Sequence, residues 1–365
     1  MNSLRDSADV CILHNSLRTI WVFRRAYINE LISMGLKVCC IAPNDDKDAV
    51  LRLSELGVTV HAIEANSFLS KIVKMNYAYF KRFGFLRKNN PVVVSHFITT
   101  FVMFIPVHLF NSKNIVFIEG IGTFFNKHLY LLRLLKVLVV YISSKRVFMN
   151  TRERALLGKK EDSVFDGIGI DLDFFNTNYH TSIGVDSRMC NMLFVGRLVE
   201  DKGIRDVFKL LEKLLKEKYP CRLTIVGETY PGNPGSLTTA DIASYKEAFP
   251  TSVTFVGKVD DLRPFYSNSD LLVLPSAHEG FPVVVMEGNA MGVPAIVYDV
   301  PGCQDAVKHR VNGLVVPFGK YDEMAKLVQA NSHIPLKASS VNYALLKFDH
   351  NIRIKKTVKM ISSLM

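Results

Sequence analysis

Two carboxylates, Glu279 and Glu287, stand seven residues apart in the stretch His278-Glu-Gly-Phe-Pro-Val-Val-Val-Met-Glu287. An ionised carboxylate accepts hydrogen bonds at both oxygens, so each suits the paired hydroxyls of a sugar or a ribose. Upstream, Asp270-Leu-Leu-Val-Leu-Pro275 is a short apolar run of the kind a buried parallel strand shows. Glu279 therefore falls where a strand ends and a loop begins. Pro282 suits the first turn of a helix, where its missing N–H is no loss. Gly292 and Pro294 end that helix before the next apolar run, Ala295-Ile-Val-Tyr298. One acid thus sits at the carboxyl edge of a sheet, with a helix N-terminus beside it and a second acid inside the helix. Open α/β sheets bind ligands at that edge, and a free helix N-terminus favours phosphate. The same spacing also fits an ordinary strand-loop-helix unit with solvated acids.

A second constellation lies upstream. Gly196-Arg197 follows the strand-like Met192-Leu-Phe-Val195, and Lys202-Gly203 precedes an amphipathic helix, Ile204 to Lys216. Arginine can grip a phosphate with two N–H groups, while lysine supplies a movable point charge.

The elements that must carry these groups alternate along the chain. Strand-like runs at Asp9–Leu13, Leu36–Ala42, Val58–Ile63, Val92–Ser95, Asn114–Ile118 and Arg146–Met149 enclose helical segments at Ile20–Met34 and Ala49–Leu56. A second series runs through Met192–Val195, Leu223–Val226, Val253–Val256, Leu271–Leu274 and Ala295–Tyr298. Alternation of this kind indicates parallel sheets with right-handed crossovers. At 365 residues the chain is comfortable for two domains. Asn176 to Cys190, polar and poor in bulky apolar groups, reads as the linker. The fold class is α/β: two Rossmann-like domains facing across a cleft.

The first residues lack a signal peptide's basic region and apolar core. The apolar stretch Phe97 to Phe110 reads as one buried helix, too short to span a bilayer. Six cysteines show no C-x-x-C spacing, which fits buried free thiols in a reducing cytoplasm.

Net charge is +11, and it is concentrated: residues 65–160 hold sixteen Lys or Arg and only two acids, Glu119 and Glu153. The bases are interleaved with aromatics and leucines in Lys71 to Lys88 and in Lys127 to Lys136. That mixture fits helices lying on an anionic bilayer surface. A merely solvated basic face is the main alternative; nucleic acid competes on charge alone, and no nucleic-acid module accompanies it. The expected placement is cytoplasmic, peripheral on the inner face of the cytoplasmic membrane.

Glu279-Gly280-Phe281-Pro282 with Glu287, Gly196-Arg197-Leu…Lys202-Gly203, and Gly302-Cys-Gln-Asp305 followed by Asn312-Gly-Leu314 occur in order over about 120 residues. Together they resemble the signature of family-4 glycosyltransferases, retaining enzymes of the GT-B fold. The resemblance implies residues 1–175 as an acceptor-binding domain and 186–340 as a nucleotide-sugar-binding domain. It also implies that a final helix within 341–365 returns to the first domain. By the same resemblance, Arg197 and Lys202 neutralise the donor diphosphate, and Glu279 contacts the donor sugar at the reacting centre. Glu287 accepts from the nucleotide ribose, and the backbone at Gly280, Phe281 and Val283 faces the diphosphate. Pro282 lies in that segment but has no N–H to give. No metal and no other cofactor is expected.

The N-terminal half departs from the common pattern. Many relatives carry Gly-Gly after the first strand, where this chain reads His14-Asn-Ser-Leu-Arg-Thr-Ile-Trp-Val-Phe23-Arg24. With Ile118-Glu119-Gly120-Ile-Gly122-Thr-Phe124, it resembles a narrower bacterial subgroup. Those enzymes add N-acetylhexosamines to undecaprenyl-diphosphate-linked sugars in O-antigen, other surface polysaccharide or glycan assembly. Glu119-Gly120 stands where other branches place a catalytic-loop histidine. Glu119 reads as a catalytic or acceptor-side carboxylate, with a structural ion pair as the alternative. Arg24 and His96 are candidates for the acceptor, with a satisfied core histidine equally open for His96.

The function expected is transfer of a sugar, an N-acetylhexosamine, from a UDP-sugar to a lipid-linked or oligosaccharide acceptor. The alternatives are a nucleotide-sugar epimerase of the same fold and a non-catalytic partner of another transferase. Lys202 and Glu279, both present, weigh against the latter.

Overall fold

The computed structural model of the chain describes residues 8–65, 67–84, 90–121, 129–179 and 189–365. The chain forms two compact units. Unit 1 runs to Ile168 and takes in Asn351–Met365; unit 2 is Gly169–His350. The division precedes the polar stretch 176–190, of which 180–188 lie outside the described residues.

Unit 1 runs β1 (Val10–Leu13), α1 (Leu17–Ser33), β2 (Val38–Pro43), α2 (Lys47–Glu55), β3 (Thr59–Ile63) and α3 (Phe68–Phe83). It continues β4 (Val92–His96), α4 (Ile98–Met103), α5 (Ile105–Phe110), β5 (Asn114–Ile118), α6 (Leu129–Ile142), β6 (Lys145–Phe148), α7 (Thr151–Leu157) and β7 (Ser163–Val164). The strands form one parallel sheet in the order β3-β2-β1-β4-β5-β6-β7. β1, β2, β4 and β5 are buried at every position, so their apolar runs are continuous and not alternating.

Strand order reverses between β1 and β4. With right-handed crossovers, α1 and α2 then cover one face of the sheet and α3 to α7 the other. The register agrees: Leu13 pairs with Ser95 and Ser95 with Val116, so these side chains share a face. Leu13 belongs to the apolar cluster under α3 and α5, with Met75, Tyr79 and Val107. Val116 belongs to the cluster under α4 and α6, with Leu135 and Val139.

The stretch Phe97–Phe110 is not one buried helix but two short ones. They meet at Phe104, next to Pro106 at the start of α5, which has no N–H to continue a ladder. Phe101, Phe104 and Val107 are buried there, whereas Leu109 and Phe110 are exposed. Among the described residues no helix is long and apolar enough to cross a membrane.

Unit 2 runs β8 (Cys190–Val195), α8 (Ile204–Lys216), β9 (Cys221–Val226), α9 (Thr239–Ala248), β10 (Val253–Gly257), α10 (Arg263–Ser267) and β11 (Leu271–Leu274). Then come α11 (Val283–Ala290), β12 (Ala295–Tyr298), α12 (Cys303–Ala306), β13 (Gly313–Val316), α13 (Tyr321–Gln329) and α14 (Lys337–Lys347). Its parallel sheet is ordered β10-β9-β8-β11-β12-β13 and reverses between β8 and β11. The C-terminal segment is two helices where one was expected. α14 stays with unit 2, and α15 (His350–Ser362) lies in unit 1 from Asn351 onward. There the buried Arg353 donates to the carbonyls of Phe165 (3.2 Å) and Asp166 (3.0 Å).

Candidate functional site

In unit 2 the predicted donor residues gather where strand order reverses, the position at which open α/β sheets bind ligands. β8 ends at Val195, and Gly196-Arg197 leads into a single 3-10 turn, Glu200–Lys202. Gly203 closes that turn at φ +75°, and a Cβ on it would lie 2.0 Å from the Pro275 carbonyl oxygen. Only glycine lets this turn approach the chain leaving β11. The Ala277 N–H then donates to the Asp201 carbonyl (2.9 Å) and the Glu279 N–H to the Pro301 carbonyl (3.2 Å). Gly302, at φ +79°, presses against Glu279 from the other side; its Cβ would lie 2.3 Å from the Glu279 carbonyl oxygen. The three separate motifs of the sequence are thus stitched together by backbone.

The stitching sets Lys202 Nζ 2.6 and 2.7 Å from the two carboxylate oxygens of Glu279. Ser276 Oγ donates to the same carboxylate at 2.8 Å. An ammonium carries three donors, so Lys202 can hold Glu279 and still donate to a phosphate oxygen. Next to this pair, α11 begins after Pro282 with no side-chain cap. Its first amides are the orphan donors that suit an anion.

Glu287 lies one turn further along α11 and accepts from the Tyr266 hydroxyl at 2.9 Å. Burial pushes its carboxyl up to about 7, and the Tyr266 hydrogen bond only partly opposes this. Arg197 is not in the Lys202–Glu279 pair; its guanidinium lies 4.8 Å over the Tyr230 ring. The Phe281 side chain is also not directed to a ligand. It is buried, edge-on to Phe348 at 6.0 Å, leaving only its backbone for the role expected of it. Asn312, in the Asn-Gly-Leu motif, is structural: it donates to Asn289 Oδ1 on α11 at 2.6 Å.

In unit 1, Arg24, His96 and Glu119 form one buried cluster, and it too stands at the strand-order reversal. His14 follows β1, His96 ends β4, Glu119 follows β5, and α1 brings Arg24 and Tyr27 over them. Glu119 pairs with Arg24 through one oxygen and with His96 Nδ1 through the other, at 2.8 Å. His96 Nε2 is 2.9 Å from the Tyr27 hydroxyl. An ionised carboxylate only accepts, so Nδ1 carries the His96 proton and Nε2 accepts from Tyr27. Burial, with the Arg24 charge, pushes His96 down to about 4. Burial alone would raise Glu119, but the Arg24 guanidinium and the His96 hydrogen bond outweigh it and hold it at about 2.

Glu119 is thus held in a buried ion pair, and His96 has a partner at each ring nitrogen. The missing Gly-Gly also has a visible consequence. The first amides of α1 are already taken: the Ser16 N–H by His14 Nδ1 (3.1 Å), Leu17 by Asp45 (2.7 Å) and Thr19 by Ser16 (3.0 Å). A phosphate would have to displace a carboxylate there. The loop of Glu119 is held by Glu153, the region's other acid, which is buried and accepts the Gly120 N–H at 2.8 Å. Gly122 to Phe124 lie outside the described residues.

Ser276, Tyr266, Tyr27 and His14 were not singled out from sequence. His14 directly follows β1 and Ser276 stands two residues after β11, which is a usable signal. Tyr266 and Tyr27 reach their partners only through packing.

Residues 177–343 match the family model for glycosyl transferases group 1, a span lying wholly in unit 2. An α-1,3-N-acetylgalactosaminyltransferase of Campylobacter jejuni, named for N,N'-diacetylbacillosaminyl-diphospho-undecaprenol, is 24% identical over 370 residues. That match covers 94% of this chain and 95% of the relative. An uncharacterized glycosyltransferase of Methanocaldococcus jannaschii is 34% identical over 147 residues, taking in 38% of this chain but only 35% of that protein. Among solved structures, Anabaena HepE in complex with UDP and glucose matches with a TM-score of 0.75 at 15% identity, over 98% of this chain and 100% of that one. The fold is GT-B, two Rossmann-like units, and the match to the glycosyl transferases group 1 model falls within unit 2.

Proposed function

We propose that the chain is a retaining, family-4 glycosyltransferase that moves an N-acetylhexosamine from a UDP-sugar to an undecaprenyl-diphosphate-linked saccharide. The setting is bacterial surface polysaccharide or glycan assembly at the inner face of the cytoplasmic membrane. The observation that carries this reading is the Lys202–Glu279 pair, set beside the uncapped start of α11 at the reversal of the unit 2 sheet. The Campylobacter relative supports the choice of sugar and acceptor by its name, and HepE supports a UDP donor.

In this reading Lys202 and the first amides of α11 face the diphosphate, Glu279 takes hydroxyls of the donor sugar, and Glu287 takes the ribose. As the bond from sugar to phosphate breaks, the acceptor oxygen forms the new bond on the same face, and its proton passes to the departing phosphate oxygen. Charge builds on the diphosphate in that step, where a fixed ammonium and amides help most. In unit 1, Glu119 acts as a positioning group that fixes Arg24 and His96 at the edge offered to the acceptor.

Calorimetric titration with UDP tests the division of labour. Glu279→Gln is expected to bind UDP nearly as wild type while transfer falls, because its partner is the sugar. Glu287→Gln is expected to weaken UDP binding itself. If both variants bind UDP and transfer sugar as wild type does, the pair of acids is structural.

The raised Glu287 carboxyl adds a pH dependence. It titrates at about 7 in the free protein, and ribose hydroxyls donate best to the ionised form. UDP affinity should therefore rise as pH increases through about 7, with proton release on binding below that point. UDP's own terminal phosphate also titrates near there, so the informative quantity is the difference from Glu287→Gln, whose profile should be flatter. Parallel profiles would show that Glu287 does not meet the nucleotide.

A further inference from the structure

The helix layer on one face of the unit 1 sheet, α3 to α6, turns an unusual surface outward. Along α6, Tyr130, Leu134, Val137 and Tyr141 are all exposed, Tyr141 at 83%. Their spacing of four, three and four residues puts them on one stripe of the helix. Along α3, Leu69, Val73 and Tyr77 repeat the pattern at intervals of four, Leu69 at 73% exposed, with Phe68 beside them. From α5, which packs against α3, Leu109 and Phe110 are exposed as well. A soluble face rarely shows so many large apolar side chains together.

The charges carried by α3 and α6 themselves are all of one sign. Exposed Lys74 and Lys81 flank the α3 stripe, and exposed Arg133 lies in the α6 stripe. Neither helix contains an acid. Between residues 65 and 160 the only acids are Glu119 and Glu153, and both are turned inward, at 8% and 4% exposure. The surface is therefore basic and apolar with no acid from this region to repel an anion.

We infer that the outer side of α3, α5 and α6 is a docking face that inserts its apolar stripes into an anionic lipid bilayer. A bilayer is the occupant that uses both features: phosphate headgroups meet the bases while the interfacial hydrocarbon receives tyrosine, leucine and valine. The basic segment Lys71 to Lys88 ends in Lys81-Arg82 and Arg87-Lys88. Arg82 is half-buried, bonded to His61 at 3.0 Å and set over Phe83, and Arg87 and Lys88 lie outside the described residues. The apolar stripes carry more of the attachment than the charges do.

Sedimentation of the full chain with vesicles of phosphatidylglycerol and phosphatidylcholine tests this, and it is independent of sugar transfer. Raising salt from about 0.1 M to about 1 M shortens the screening length from about 10 Å to about 3 Å. Wild type should lose part of its binding and keep the rest. Arg133→Gln with Lys74→Gln and Lys81→Gln should remove only the salt-sensitive part. Leu134→Asn with Val137→Ser and Tyr141→Ser should weaken binding by roughly tenfold or more at either salt. Thermal unfolding should be unchanged in both variants, which shows that unit 1, where the changes lie, is folded. Complete release of wild type at high salt, or wild-type sedimentation of the apolar variant, overturns the inference. So does a failure to bind any vesicle, which would assign the face to a protein partner.

Discussion

Lys202→Ala is expected to slow sugar transfer by about 10²–10³-fold, equal to about 3–4 kcal/mol of barrier, while the protein stays folded. Two losses combine. The ammonium no longer balances charge developing on the diphosphate, and Glu279, whose side chain is 11% exposed, keeps the Ser276 hydroxyl as its side-chain donor among the described residues. An orphaned carboxylate there would reorient or repel the donor phosphates. Because the two residues act on one another, Lys202→Ala with Glu279→Gln should cost less than the sum of the single changes. Initial rates at saturating donor measure all three. Additive losses would mean that the pair seen in the free protein does not persist with donor bound, and wild-type rates for Lys202→Ala would remove it from the reaction.

In unit 1 the largest effect is expected on stability. Glu119→Ala should lower the unfolding free energy by about 3–5 kcal/mol, because it leaves the buried Arg24 charge uncompensated. Replacing Arg24 and Glu119 together with leucine should cost less than either single change. The pH profile carries the same information. Glu119 is held at about 2, below its ordinary value of 4.5, so its contribution is complete above that value and is lost as pH falls toward 2. His96 titrates at about 4 instead of 6.5. The unfolded chain takes up that proton first, so stability begins to fall below about pH 6.5 and keeps falling to about pH 4. Urea melts across this range, for wild type and Glu119→Ala, measure both contributions. A Glu119→Ala variant that melts like wild type yet transfers no sugar would show that Glu119 meets substrate and is not a positioning group.

The parts of this architecture that were legible in sequence are those set by local chemistry. Continuous apolar runs marked the buried parallel strands, and Ile204–Lys216 was read to its last residue because Gly203 and a polar-apolar period bound it. β7, two residues long, is too short to show an apolar run, and β13 opens on Gly313 and is hidden inside the Asn312-Gly-Leu314 motif. The break at Phe104 was missed because every neighbour is apolar, which hides the signal of Pro106.

The site was legible as a set of residues and not as a set of contacts. Lys202 and Glu279 are 77 positions apart, and Arg24 and Glu119 are 95 apart. Only the order of strands places them side by side. That order also sets Glu119 between Arg24 and His96, a pairing that residue type alone does not show.

The most direct test of nucleotide-sugar transfer is turnover of UDP-N-acetylhexosamines with a polyprenyl-diphosphate-linked saccharide, following UDP release and acceptor mass. The expected result is UDP release that requires the acceptor, with the acceptor gaining one N-acetylhexosamine and Lys202→Ala slowing both by about 10²–10³-fold. Interconversion of the UDP-sugar without acceptor, or no turnover of any nucleotide sugar, would contradict it.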